Sequence, residues 1–337
     1  MTRASSAVSI NDNDYTDPPT HTHVRAHDPL TMTTHPVTIE NDAVRMDVWP
    51  TLGGKVSSII DKADKFELMF NYPCELPTVA LYDAPYQRGW YAGWDECFPA
   101  VAPGPYVGHP YNAVNIPDHG ELWGLPTMAV PTKDGITTVW NGLRFGYRLT
   151  RKLALEGSSI IARYTLVNLA PFPFRFVWAQ HALKAMTQPV EIQFGDGKTG
   201  GMPMRLSHDA EGRTLDQNFA WPRSGSENFS RPGDLPAQRG WKLFSVEPIA
   251  TPAVVSYPGR SRKLQIEYAS EDSIVAYWGI WIDHGGWARH DHFAIEPTTG
   301  RFDQLDRAVK DDSAARVAAS AQVNWTVTWK LLPHLPQ

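Results

Sequence analysis

A glutamate and two histidines, Glu296, His181 and His119, are the side chains best placed to do chemistry in this chain. In His292-Phe293-Ala294-Ile295-Glu296-Pro297 the side chains alternate as in a β-strand, and Pro297 removes a backbone donor, which predicts that the pairing stops there. Glu296 is then the last strand residue before a turn. A carboxylate on a rigid element bordering a cleft suits a general base. His181 closes the apolar stretch 174–181, where alternation sets Arg175, Val177, Ala179 and His181 on one face. His119 lies in Asp118-His119-Gly120-Glu121-Leu122-Trp123-Gly124, whose glycines permit turns tight enough to press side chains against a ligand. Taken singly, each has an ordinary reading as a solvated strand glutamate, a core or rim histidine and a loop histidine.

The elements that would hold these residues read as strands nearly throughout. Segments 37–40, 44–49 and 55–60 form a meander turned by Gly53-Gly54. Strands are predicted again at 136–140, 145–155, 159–168, 174–181, 253–257, 263–268, 274–282, 292–296 and 322–331, with Glu156-Gly157-Ser158 as a hairpin turn and one short helix at 303–309. Between 72 and 131 Pro, Gly, Tyr and Trp crowd together, which predicts loops packed over one sheet face. Residues 196–252 read as loop-rich, with 222–239 on the surface. Residues 1–36 are polar and aperiodic, carry His21, His23, His27 and His35, and read as a disordered tail. The expected architecture is one all-β domain over 37–337, a large sandwich of two antiparallel sheets.

Composition agrees. Thirteen Trp, 12 Tyr, 25 Gly and 28 Pro in 337 residues fit strands and turns better than helices. Aromatics of this abundance also suit a sugar cleft, where a ring stacks on the apolar face of a pyranose. The net charge of −5 and the lack of a basic run argue against nucleic acid or an anionic membrane as partner. No apolar run approaches a membrane span and the first 36 residues lack a signal-peptide core, so a cytoplasmic location is expected. Cys74 and Cys97 fit no zinc or redox spacing, and G-x-S-x-G, Walker, Rossmann and HExxH signatures are missing.

Taken together, the Gly-Gly meander, the His-Gly loop before a Trp, the mid-chain strand histidine and the Glu-Pro strand end resemble the galactose mutarotase-like superfamily, which includes the aldose 1-epimerases. The resemblance covers about residues 37–331 in element order. It implies a large antiparallel β-sandwich with Glu296 as catalytic base, His181 as acid and His119 as a substrate-binding residue beside Glu121 and Trp123. It further implies a cleft lined by some of Trp90, Trp94, Trp123 and Trp178, with Arg88 or Arg175 as a substrate arginine and Asp95-Glu96 as an added polar wall. The stretches Pro-Asp-His119-Gly-Glu and Trp-Ala-Gln-His181-Ala-Leu depart from the Leu-His-Gly-Gly and Asn-His-Ser-Tyr-Phe-Asn segments of characterised mutarotases, so an outlying branch is expected.

The activity so implied interconverts the anomers of a sugar. A base takes the proton of the C1 hydroxyl while an acid protonates the ring oxygen, so the ring opens, rotates and recloses. A raised glutamate pKa and a histidine kept protonated by a carboxylate neighbour would suit it. No metal or organic cofactor is called for, the partner is a small sugar or sugar derivative, and the protein is expected as a monomer or homodimer. Two alternatives share the fold: a polysaccharide lyase, for which His284, His290, Asp291 and His292 could offer metal ligands, and a carbohydrate-binding module without catalysis.

Overall fold

The computed structural model describes residues 35–71, 77–186, 189–195, 201–209, 211–288 and 290–334. The expected tail lies outside the described residues except for its last two positions, and Cys74 lies outside them as well.

Two antiparallel sheets carry the fold. The larger runs Val37–Glu40, Val44–Trp49, Lys55–Asp61, Trp94–Cys97, Ala179–Ala185, His292–Thr298, Tyr277–His284, Arg239–Ser245, Pro203–Asp209 and Thr214–Ala220, with Phe66–Glu67 beside Lys55–Asp61. The smaller runs Glu191–Phe194, Ala253–Ser256, Arg262–Ser270, Gln322–Pro333, Ser159–Asn168, Tyr147–Glu156, Gly135–Asn141 and Met128–Thr132. In the hairpin of Tyr147–Glu156 with Ser159–Asn168, buried and open positions alternate along both strands, so each lays one apolar face inward. Glu156 pairs with Ser159, and Gly157 takes the left-handed backbone, φ 58°, that such a short turn needs.

One hydrophobic core joins the inner faces of the two sheets. Trp94 stacks on Trp329 at 5.4 Å and Tyr164 on Trp325 at 5.3 Å, pairing one sheet with the other in the first case and neighbouring strands in the second. Inside this apolar layer sits a polar knot. Glu96 Oε1 accepts from Trp94 Nε1 (2.8 Å), Arg151 Nη1 (3.0 Å) and Tyr164 OH (2.8 Å), while Oε2 accepts from Trp178 Nε1 (2.8 Å). Four donors satisfy a wholly buried carboxylate whose alternative is a large desolvation penalty.

Three expectations are corrected. The stretch 174–181 is not one strand: Phe174–Phe176 pairs with Ala315–Val317 in a separate ribbon, and the chain re-enters the large sheet at Ala179–Ala185. Between them Val177 N and Trp178 N are taken by Pro99 O and Thr299 Oγ1, which breaks the ladder. Residues 196–252 contain three strands of the large sheet, Pro203–Asp209, Thr214–Ala220 and Arg239–Ser245, where loops were expected. Pro297 does not end its strand, which runs on to Thr298. The ladder between Ala179–Ala185 and His292–Thr298 pairs Ala179 with Thr298 and Leu183 with Ala294, and is open between these positions, so the missing N–H of Pro297 falls where the ladder has parted.

Candidate active site

That opening is where the two candidate catalytic residues meet. The register sets His181 opposite Glu296, and the same row across the outer face of the large sheet continues to Asp95 on one side, paired with His181, and Gly279 on the other, paired with Glu296. His181 Nε2 lies 3.8 Å from Glu296 Oε1. Gly279 leaves room for this arrangement, since a Cβ there would sit 3.1 Å from Glu296 Oε2. Both side chains are buried, Glu296 completely, and among the described residues Glu296 Oε1 and His181 Nδ1 have no hydrogen-bond partner.

Glu296 Oε2 accepts from Lys242 Nζ, and Lys242 Nζ also lies 3.3 Å from Asp303 Oδ1. Lys242 is buried between these two carboxylates. Burial alone would lower its pKa, but the charges of Asp303 and Glu296 outweigh burial and hold it above the usual lysine range. Burial pushes the Glu296 carboxyl upward, with Lys242 opposing and Asp303 reinforcing. His181 is driven well below the ordinary imidazole value, first by burial and then by the positive charges of His119, Lys242, His292 and Lys55. The histidine expected to be kept protonated is therefore held toward its neutral form, with desolvation as the largest cause.

A cavity of about 330 Å³ opens over this row, lined by His181, Leu183, Lys242, Trp281, His292, His208 and Asp303 among others. Glu296 lies just beneath that lining, between His181 and Lys242. On one wall, His119 stacks on Tyr86 (3.8 Å between rings) and meets His181 edge-on at 5.0 Å, while its Nδ1 pairs with Asp118 Oδ1 at 2.8 Å. Burial would raise the Asp118 carboxyl, yet hydrogen bonds from His119 and the Tyr86 amide hold it below its ordinary value. The turn behind His119 needs glycine: Gly120 has φ 76°, and a Cβ there would sit 2.0 Å from Phe98 O. On the opposite wall, Asp283 accepts from the amides of Gly286 (2.7 Å), Trp287 (2.9 Å) and Ala288 (2.6 Å), fixing the turn that brings Trp287 to the cavity. Trp281 donates to His292 Nε2 at 3.2 Å, and His292 Nδ1 bonds His290 O at 2.8 Å.

The structure thus brings Glu296, His181 and His119 together. The other expected binding residues stand elsewhere. Trp94, Glu96 and Trp178 face inward and are spent on the core knot, because strand alternation sends Trp94 and Glu96 to the face opposite Asp95. Asp95 lies on the outer face but beneath the cavity, where its Oδ2 takes Lys55 Nζ and Tyr86 OH. Glu121 is completely buried and accepts from Tyr82 OH (2.6 Å) and Arg144 N (2.8 Å). Trp123 supports the wall from behind, edge-on to Tyr86 and bonded to Asp118 O at 2.7 Å. Arg88 is exposed and Arg175 lines a different hollow, beside His109 and Arg316. Trp90 lies with Trp123 in a smaller hollow, so the tryptophans of the cavity are Trp281 and Trp287.

Sequence reasoning missed Lys242, His208, Asp303, Tyr86 and Trp287. A signal existed for Lys242, a lone charge in Trp241-Lys242-Leu243-Phe244. Among the described residues no group of three or more His, Cys, Asp or Glu gathers as a metal site; His284 instead pairs with Asp291 at 3.2 Å. No helix among them is long and apolar enough to cross a membrane.

No family sequence model matches this chain, and no curated protein matches it by sequence. Solved structures do. A galactose mutarotase-like protein from Lactobacillus casei superposes with a TM-score of 0.65 at 14% identity, covering 88% of this chain and 99% of its own. The Slr1438 protein from Synechocystis sp. PCC 6803 gives 0.62 at 15% identity, covering 92% and 100%, and a galactose mutarotase-like protein from Clostridium acetobutylicum gives 0.60 at 13%, covering 89% and 95%. With its two antiparallel sheets and near end-to-end superposition on these structures, the chain has the galactose mutarotase-like β-sandwich fold.

Proposed function

We propose that the protein is an isomerase of the aldose 1-epimerase kind, which interconverts the anomers of a sugar through Glu296 and His181. The observation that carries this reading is the free Oε1 of Glu296, completely buried and 3.8 Å from His181 Nε2. The distance is too long for a direct hydrogen bond and suits two groups that each reach one of the two oxygens on an anomeric carbon. Lys242 occupies the other carboxylate oxygen, which turns Oε1 toward His181.

Ring opening moves one proton off the C1 hydroxyl and places one on the ring oxygen, so the couple must carry a single proton in total. A carboxylate with an imidazolium and a carboxylic acid with a neutral imidazole are two placements of that proton, and the reaction passes between them. Burial favours the second placement: Glu296 is raised and His181 lowered. In this reading His119, stacked on Tyr86 and anchored by Asp118, holds a sugar hydroxyl. The superposition on galactose mutarotase-like structures supports a sugar as ligand.

The zero exposure of Glu296 favours a second reading, a sugar-binding module without turnover. One variant separates the two. Glu296→Gln keeps shape but removes the proton-carrying group, so anomer exchange measured by NMR, above the spontaneous rate, should fall roughly 10²-fold or more while sugar binding persists. Equal exchange rates in variant and wild type would sink the catalytic reading.

A further inference from the structure

A second histidine–carboxylate couple lies in the same cavity, and the chemistry assigned to Glu296 and His181 makes no use of it. His208 Nε2 stands 3.6 Å from Asp303 Oδ2, and both side chains line the cavity. They arrive from different elements. His208 comes from Pro203–Asp209, where the register with both neighbouring strands shifts between Leu206 and His208, and Asp303 comes from the turn after His292–Thr298. Such a shift re-aims a side chain beside a site.

The couple is not a closed ion pair. Its separation exceeds a hydrogen bond, and Asp303 Oδ1, though near Lys242, makes no hydrogen bond of its own among the described residues. Burial drives His208 below the usual imidazole value against the pull of Asp303, with Lys242 and Arg307 adding to the fall and Asp209 opposing it. A neutral imidazole results. Ser207 Oγ lies 3.3 Å from His208 Nδ1; a hydroxyl donating there leaves Nε2–H as the donor facing Asp303. A donor and a charged acceptor then stand side by side in the cavity wall, spaced for two oxygens on adjacent carbons. A vicinal diol is the complement: one hydroxyl accepts from Nε2–H and the other donates to the carboxylate. Lys242 bridges Asp303 to Glu296, so both couples lie within one ammonium group of each other and within the span of one sugar ring.

We propose that His208 and Asp303 read a vicinal diol of the sugar whose anomeric carbon lies at His181 and Glu296, so that the cleft selects sugars with two neighbouring ring hydroxyls left unsubstituted. The placement of the anomeric carbon rests on the anomer-exchange reading; the diol site does not.

The test uses D-glucose, D-galactose and their 2-, 3- and 4-deoxy forms, with anomer exchange followed by NMR magnetisation transfer and binding by saturation transfer. One or two adjacent deoxy positions should cost the wild type roughly 10-fold or more in kcat/KM, as expected when a hydrogen bond to a charged group is lost. Asp303→Asn and His208→Gln should each raise KM for the parent sugar more than they lower kcat, and should no longer distinguish it from those deoxy forms. Variants that weaken every deoxy sugar as much as the parent, or that change nothing, overturn the proposal, as does a wild type that binds none of these sugars. Binding with the deoxy pattern but no exchange in the wild type would retire the exchange reading and leave the diol site standing. Exchange without the pattern does the reverse.

Discussion

Lys242 donates to the carboxylate oxygen of Glu296 that His181 does not face. Lys242, His181, His119, Cys97, Asp303 and Lys184 all stand near enough to Glu296 to interact with its charge. Of these, Lys242 exerts the largest opposition to burial. Lys242→Met should therefore raise the Glu296 carboxyl pKa further, read directly by carbon NMR of glutamate labelled at the side-chain carboxyl, and should lower exchange roughly 10-fold or more by freeing Oε2 to rotate. An unmoved Glu296 titration in a folded variant would show that the lysine neither tunes nor positions it.

If Glu296 and His181 share one proton as proposed, the direction of the pH dependence follows. A raised Glu296 loses its proton above the ordinary carboxyl value of 4.5, and a lowered His181 gains a second one only below the ordinary imidazole value of 6.5. As pH rises the couple empties and kcat/KM should fall; as pH drops below the His181 value it should fall again, giving a bell whose apparent values belong to the pair. A rate that climbs steadily through neutral pH to an alkaline plateau contradicts a one-proton couple.

Glu96 provides the control for stability. Its carboxylate pairs with the buried Arg151 and takes three further hydrogen bonds inside the sandwich, on the sheet face away from the cavity lining. Glu96→Ala leaves a guanidinium uncompensated in the core and should cost about 3–5 kcal/mol of unfolding free energy. Denaturant melts of variant and wild type measure it. A loss of activity at full stability would return Glu96 to the cleft wall.

Trp287 should contribute binding and little else. Its turn is pinned by Asp283 and its ring faces the cavity, so Trp287→Ala removes a stacking surface and should raise KM several-fold, up to about 10-fold, with kcat nearly unchanged. Stopped-flow tryptophan quenching by sugar, present in the wild type and diminished in the variant, gives an independent reading.

Much of the sheet architecture was legible, because strands such as Ser159–Asn168 sit on one core with one face and obey the period-two pattern. Glu296 and His181 were also visible, since each is a charged or titratable residue inside an apolar run. What hid the rest was long-range pairing. Arg239–Ser245 pairs with Pro203–Asp209 and Tyr277–His284 across long intervening stretches, the first of them rich in Pro, Gly and Ser, so Lys242 and His208 fell in a region that reads as coil. Trp94-Asp95-Glu96-Cys97 was opaque for another reason. All four side chains are buried, and alternation cannot say which acid turns to the core when both do their work out of water.

That strand settles the matter by charge. Asp95 and Glu96 point to opposite faces, and each finds its own cation, Lys55 outside the sandwich and Arg151 within it. Sliding the strand by a single residue would exchange the two faces, bringing one acid to the other's cation and setting Cys97 or Trp94 against the remaining buried cation. The pairing thus works as a two-tooth electrostatic key for the middle of the sheet. Because Asp95 is the direct neighbour of His181, that key also sets the height at which His181 stands opposite Glu296. Swapping the two acids for their amides should loosen alignment before it loosens the fold, and the proton couple would be the first part of the molecule to register the error.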